Sequence, residues 1–285
     1  MRYLLPLSIF LLMVSVGMSL KLNELAASLR RLTWSAWLRM VIATFLLPPL
    51  LALILANLFR LTRAELVGIF MVSATPGAPL LTRNLARKGF EMHLAASYQV
   101  WAAMLVPVVI PIVVAAAAKL YNRDIWISPL LLLNQIATKQ LLPFAVGMAI
   151  AYVAPHVRER YQTRLNVLGN CLLTILIGLV LFKMGPALKA ITPMLPIVAL
   201  LLAVGSIASI WVIQIRDPVV KKTFAVCNAN RHVGLALLLS GQYFSVARAV
   251  PAIACYALIA PAAMVVYARW YRGGWRREKS SFENT

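Results

Sequence analysis

The sequence predicts an all-α polytopic membrane protein of about nine transmembrane helices, arranged as inverted repeats that meet at two crossed, discontinuous helices. Three observations predict it. The chain of 285 residues is 62% hydrophobic with a mean hydropathy of +0.83, and only 13% of its residues are charged, against roughly 25% in soluble domains. Its apolar runs have membrane-crossing length, ~20 residues each, and short basic connections join them. Two runs are interrupted halfway by residues foreign to lipid, at Thr75-Pro76-Gly77-Ala78-Pro79 and at Cys227-Asn228-Ala229-Asn230-Arg231-His232. A helix in hydrocarbon breaks only where protein or a water-filled cavity satisfies the freed backbone groups. One broken helix in each half of a membrane protein points to a transporter's binding site.

Taken in order, the expected spans are 3–20, 35–58, 65–87, 92–118, 128–153, 165–187, 194–215, 218–241 and 247–270. The first follows Arg2 as a signal peptide would, but it lacks an A-x-A-like cleavage site and precedes further spans, so it reads as a membrane helix. Pro48-Pro49, Pro107, Pro111, Pro143, Pro251 and Pro261 fall inside spans. Membrane helices tolerate such prolines when neighbours or waters cover the freed carbonyls. The third and eighth spans are the broken ones. A loop around Pro155–Arg164 is expected to join the two halves, and the polar tail 273–285 is expected to fray.

The basic residues set the orientation. With an odd number of spans, one face carries Lys21, Arg30, Arg31, Arg83, Arg87, Lys88, Arg158, Arg160, Arg164, Arg216, Lys221, Lys222, Arg269, Arg272, Arg276, Arg277 and Lys279. The other carries only Arg2, Arg60, Arg63, Lys119, Arg123, Lys183, Lys189 and Arg248, while Arg39, Lys139 and Arg231 lie within spans. The positive-inside rule places the richer face in the cytoplasm, the N-terminus outside and the C-terminus inside. If spans 2–4 repeat as spans 7–9, the two broken spans correspond and the repeats are inverted, with no counterpart of the fifth span in the first half.

Several function classes are excluded. The net charge of +20 is scattered among apolar runs, whereas a nucleic-acid binder needs a contiguous basic face on a soluble fold. Cys171, Cys227 and Cys255 lie in apolar stretches without CxxC spacing, which suggests neither a disulfide framework nor a metal site. No nucleophile–base pair or phosphate loop supports an enzyme.

At these motifs the chain resembles the bile acid:sodium symporter family, over about 240 residues. Met13-Val14-Ser15-Val16-Gly17-Met18-Ser19-Leu20-Lys21-Leu22 resembles the family's M-F-G-M-G-L-T-L segment. Thr75-Pro76-Gly77 resembles its C-P-G-G opening of the first broken helix, Leu85-Ala86-Arg87 its L-A-R, and Leu141-Leu142-Pro143 with Gly147 its L-L-P-x-x-x-G. Residues 222–236 align without a gap to K-A-L-x-I-E-x-G-M-Q-N-x-G-L-A, best at Gly234-Leu235-Ala236. The resemblance implies a ten-helix fold, or nine when the first helix is absent as here. It also implies a panel of helices (1–20 and 128–187) and a core (35–118 and 194–270) that move against each other. The implied substrates are small organic anions, usually carried with sodium. The implied location is a bilayer such as a bacterial inner (plasma) membrane.

The chain departs from the pattern where ions would bind. Cys227 and Arg231 stand where the family has a sodium-binding glutamate and glutamine, and His232 replaces an asparagine. Ala78, Pro79, Leu80 and Leu81 replace a polar stretch, the first broken helix is about two residues shorter, and Ser97-Tyr98-Gln99-Val100-Trp101 replaces a Thr/Ser-rich turn. A site for a hard cation needs oxygen ligands. The eight acidic residues (Glu24, Glu65, Glu91, Asp124, Glu159, Asp217, Glu278 and Glu283) all lie in loops, the tail or span ends. Sodium as a cofactor is therefore doubtful, and no other cofactor is implied.

The candidate site is the crossover: Thr75, Pro76, Gly77, Gln99, Cys227, Asn228, Asn230, Arg231 and His232. A mid-membrane guanidinium costs ~2.5–3.5 kcal/mol on insertion scales and persists only when paired or facing a cavity. Two compatible readings of Arg231 follow. It is a tethered cation in the vacated ion site, donating to freed carbonyls near Thr75–Gly77 and Asn228–Asn230, or it faces the cavity and grips an anionic substrate. His232 either titrates and links transport to protons or sits neutral and hydrogen-bonded inside the crossover. Asn228 and Asn230 are expected to cap the half-helices. The half-helix N-termini at Ala78-Pro79 and His232-Val233 favour an anion. Gln99 and Tyr98 either line the cavity or pack. Lys139 is expected to snorkel, and Trp34, Trp37, Trp270 and Trp275 to anchor at the interfaces. Three functions compete: a uniport or proton-linked carrier of small organic anions, a sodium symporter with rearranged ligands, and a non-transporting sensor or subunit on a carrier fold.

Overall fold

The computed structural model describes residues 4–19, 34–77, 92–120, 128–183, 191–215, 217–243 and 246–282. All regular elements among them are helices: α1 (Leu4–Ser19), α2 (34–58), α3 (Arg63–Ala74), α4 (Met92–Leu120), α5 (129–153), α6 (Pro155–Lys183), α7 (195–213), α8 (Pro218–Ala229), α9 (Val233–Tyr243) and α10 (Val246–Phe282). Five helical stretches are long and apolar enough to cross a membrane: Leu38–Leu58, Trp101–Lys119, Leu130–Val153, Leu195–Val212 and Ala249–Tyr271, with Leu4–Ser19 a shorter apolar helix. Their outer faces carry exposed Ile54, Ile112, Leu142, Leu258 and Val266, the last 67% exposed. Contiguous apolar faces of this kind are unstable in water and natural in lipid. The protein is an integral membrane protein.

Local sequence fixes the ends of several helices. Thr62 caps α3 in a reciprocal capping box: its Oγ1 accepts from Glu65 N (3.4 Å), and Glu65 Oε2 accepts from Thr62 N (2.9 Å). Glu65 is buried because it does more than cap. Its oxygens also accept from Thr192 N and Thr192 Oγ1, both at 2.7 Å, tying the start of α3 to the turn before α7. Asp217 caps α8, with Oδ1 accepting from Val219 N (2.8 Å) and Val220 N (3.2 Å).

Two sequence expectations change. The stretch around Pro155–Arg164 is the first part of α6, not a loop. Pro155 is the first helical residue, where its missing N–H and fixed φ suit a helix, and the polar residues that follow leave the helix intact beyond the apolar region. The tail is also helical in its backbone as far as Phe282. The second half of the first broken span, with Ala78, Pro79 and Leu85-Ala86-Arg87, lies outside the described residues.

Packing is closest where glycines allow it. α1 lies against α5 and α6. Gly17 of α1 faces Phe144 O, and Gly147 of α5 faces Val14 O, so a Cβ on either glycine would strike the partner backbone. The remaining helices pack together: α3 on α2, α9 and α10, α7 on α2, α8 and α10, and α8 on α4.

Candidate functional site at the helix crossover

The first break follows from its residues. Glu65 to Ala74 are all buried, and the helix stops at Thr75 (φ −107°, ψ 84°), whose hydroxyl donates to Met71 O and Val72 O, both at 3.1 Å. Pro76 has no N–H with which to continue the helix. Gly77 adopts φ +81°, a region strained for side-chain-bearing residues. A Cβ there would also lie 2.9 Å from the Ala102 Cβ of α4.

The second break is its partner. α8 ends at Ala229, and Asn230 (φ −83°, ψ 92°) leaves the helical conformation while its N–H reaches Val226 O at 3.1 Å. Pro76 and Arg231 then form an isolated antiparallel bridge, with His232 N donating to Thr75 O at 2.7 Å. His232 opens α9. Its carbonyl accepts from Ala236 N (3.0 Å), and its Nδ1 accepts from Leu235 N (3.1 Å), as an N-cap side chain does. That bond assigns the ring proton of a neutral imidazole to Nε2, which is buried without a partner among the described residues.

Arg231 is the largest fully buried side chain among the described residues, 1% exposed. Its Nη1 donates to Thr44 O at 3.0 Å and its Nη2 to Asn228 Oδ1 at 3.3 Å. The Thr44 carbonyl is available for a reason written in α2. Residues Ile42–Leu46 form a π-turn, Leu47 N bonds Ile42 O, and Pro48-Pro49 follow without N–H groups. The carbonyls of Ala43 and Thr44 lose their helical donors. Ala43 O is taken by Asn228 Nδ2 (3.0 Å) and Ser209 Oγ (2.9 Å), and Thr44 O by Arg231.

Asn228 binds this arrangement together. Its Nδ2 lies within bonding distance of Ala43 O, Ser206 O (2.8 Å) and Ser209 Oγ (2.7 Å), and its Oδ1 accepts from Tyr98 Oη at 2.9 Å. One amide thus joins α8 to α2, α4 and α7. Tyr256 of α10 donates to Ala229 O at 2.6 Å and closes the fourth side. Trp101 and Phe224 pack against Tyr98, and Phe45 packs against Trp101, with ring centroids 5.7–6.0 Å apart, so the polar cluster has an apolar wall.

The structure thus brings Thr75, Pro76, Gly77, Asn228, Asn230, Arg231 and His232 to one crossing. Cys227 is buried within α8, and Gln99 is buried in α4, its carbonyl 3.8 Å from where a Gly77 Cβ would be. Two expectations need correction. Arg231 reaches a carbonyl of α2 rather than one near Thr75–Gly77, because the prolines leave that oxygen unpaired. Asn228 reaches across to other helices, and the capping falls to Thr75, Asn230 and His232. Sequence reasoning missed Thr44, Ser206, Ser209 and Tyr256. The available signals were the Pro48-Pro49 pair, which guarantees orphaned carbonyls, and hydroxyls set within apolar runs.

Of the three basic residues expected inside spans, only Arg231 is buried. Lys139 is exposed, and Arg39 donates to Gln214 Oε1 at 2.7 Å near the surface. No carboxylate pairs with Arg231 among the described residues; its partners are neutral oxygens.

A comparison with curated proteins finds no match. The family model of the sodium bile acid symporter family matches residues 6–219, ending where α8 begins, so the second break lies beyond the matched stretch. With three quarters of the chain covered, from the first apolar helix through α7, this protein belongs to the sodium bile acid symporter family of membrane transporters.

Proposed function

We propose that the protein is a secondary carrier of small organic anions that works by alternating access and without sodium, as a uniporter or a proton-linked carrier. Arg231 carries the proposal. A permanent cation stands at the crossover on a proline-freed carbonyl and an amide oxygen, with no acid beside it among the described residues. A guanidinium keeps its charge under all physiological conditions, so it supplies without exchange the positive charge that a bound sodium would bring and lose in each cycle. The resulting field, with the half-helix N-terminus at His232-Val233, favours an anionic substrate.

In this reading Thr75, Pro76, Gly77, Gln99, Cys227, Asn228, Asn230, Arg231 and His232 form the crossover site, and no cofactor is needed. The packing of α1, α5 and α6 on one another supports a panel that moves against the other helices, built as inverted repeats. The N-terminus is outside and the C-terminus cytoplasmic, in a bacterial inner membrane. Uptake of radiolabelled keto acids and bile acids by proteoliposomes tests the reading. Uptake above protein-free vesicles, equal in sodium and choline buffers, is expected. Strong sodium stimulation would favour symport with rearranged ligands, and no uptake of any organic anion would favour a sensor or subunit.

A further inference from the structure

A second organised polar region lies at one end of the bundle, away from the crossover. α7 stops at Gln214 in a left-handed conformation (φ 55°, ψ 38°), and Gln214 Oε1 accepts from Arg39 Nη1 at 2.7 Å. The first turn of α8 follows, where Lys221 Nζ stands 3.6 Å above the Trp211 ring and Lys222 Nζ lies 5.4 Å from the Tyr271 ring. Tyr271 Oη donates to Pro218 O at 2.9 Å, which brings α10 to the same turn. Arg269 and Trp270 are exposed there, Trp270 by 66% and Trp211 by 49%.

Basic residues outnumber acids in this ring, with Arg39, Lys221, Lys222 and Arg269 against Asp217. Arg39, Lys221 and Arg269 have no ion pair among the described residues, and the Oδ1 of nearby Asp217 is occupied by the α8 cap. The backbone of α10 stays helical to Phe282, ~16 Å beyond Tyr271 at 1.5 Å per residue. That extension carries Arg272, Arg276, Arg277 and Lys279 against the single acid Glu278. The depth is also defined. The apolar span of α10 ends at Tyr271, and exposed tryptophans beside it mark the boundary between hydrocarbon and headgroups.

We propose that this ring, formed by the α7–α8 turn, the first turn of α8 and the end of the α10 span, seats the phosphate of an anionic phospholipid from the surrounding leaflet. Lys221, held over Trp211, and Arg269 supply the charge, and Trp211 and Trp270 lie against the upper acyl and glycerol region. A zwitterionic headgroup brings its own ammonium and gains less from the same cations. A soluble polyanion would gain nothing from tryptophans at hydrocarbon depth.

Native mass spectrometry of the purified full chain, titrated with dioleoyl phosphatidylglycerol or dioleoyl phosphatidylcholine, tests the site. The anionic lipid should be retained at about tenfold lower concentration, and each neutralised cation should cost about fivefold in retention. The pair Lys221→Gln with Arg269→Gln should therefore lose that preference. Arg269→Gln alone, at an exposed position that leaves the fold intact, should lose about fivefold. Arg60→Gln with Arg63→Gln, beyond the opposite end of α2, should change nothing. Equal retention of the two lipids would overturn the proposal, as would equal losses in the control pair. Displacement of the lipid by millimolar inorganic phosphate would also overturn it, in favour of a soluble anion.

Discussion

Truncating Asn228 to alanine tests whether the crossover is held by one amide. Its two ends are not equivalent. On the donor side, Ser209 Oγ lies 2.9 Å from both Ala43 O and Ser206 O, so its single proton still serves one of these carbonyls when the Asn228 amide is removed. On the acceptor side one oxygen serves two donors at once, although the Tyr256 hydroxyl also bonds Arg231. Tyr98 Oη and Arg231 Nη2 both lose Oδ1, and both residues are buried. An orphaned buried donor costs about 1–3 kcal/mol and more when charged, so Asn228→Ala should destabilise by about 3–4 kcal/mol. Ordinary hydrogen bonds in membrane proteins average ~0.6 kcal/mol; two of them would give only about 1. Reversible SDS unfolding of the purified protein separates these values. Tyr98→Phe provides the internal check. It should cost under about 1 kcal/mol alone, and be neutral or stabilising in the Asn228→Ala background, where it removes the orphaned hydroxyl. A loss below about 1 kcal/mol for Asn228→Ala, or strict additivity of the two changes, would refute the reasoning.

Other consequences follow from the same geometry. Arg231→Gln should reduce organic-anion uptake at least about tenfold, while Arg231→Lys, which keeps the charge but not the planar fork, retains more; proteoliposome uptake measures both. Glu65→Ala removes the acceptor of four bonds from Thr62 and Thr192 and should cost about 1–3 kcal/mol in thermal unfolding without altering the ion dependence of uptake. Gly147→Ala places a methyl against Val14 O, which no rotamer change relieves, and should destabilise by about 1–3 kcal/mol in the same assay.

Much of the scaffold was legible because hydropathy is a local property. The expected span 3–20 is Leu4–Ser19, 92–118 is Met92–Leu120, and 128–153 is 129–153. The breaks at Thr75–Gly77 and Asn230–His232 were legible for the same reason, since Pro76, Gly77 and a charged residue cannot continue a lipid-facing helix. Partner choice was not. Arg231 bonds a carbonyl 187 residues away, and only the packed positions of α2 and α8 decide which freed oxygen it meets. The sequence announced orphaned carbonyls at Pro48-Pro49 but not which donor would fill them. Pro155 misled because a proline opens a helix as readily as it ends one, and only the following backbone separates the cases.

The central claim concerns charge at the crossover, and equilibrium binding of ²²Na⁺ to the purified protein tests it most directly. With Arg231 seated on Thr44 O and Asn228 Oδ1, the intact chain should show no saturable sodium binding at any millimolar concentration. Saturable binding of about one ion per chain, with Arg231 in place, would contradict the account.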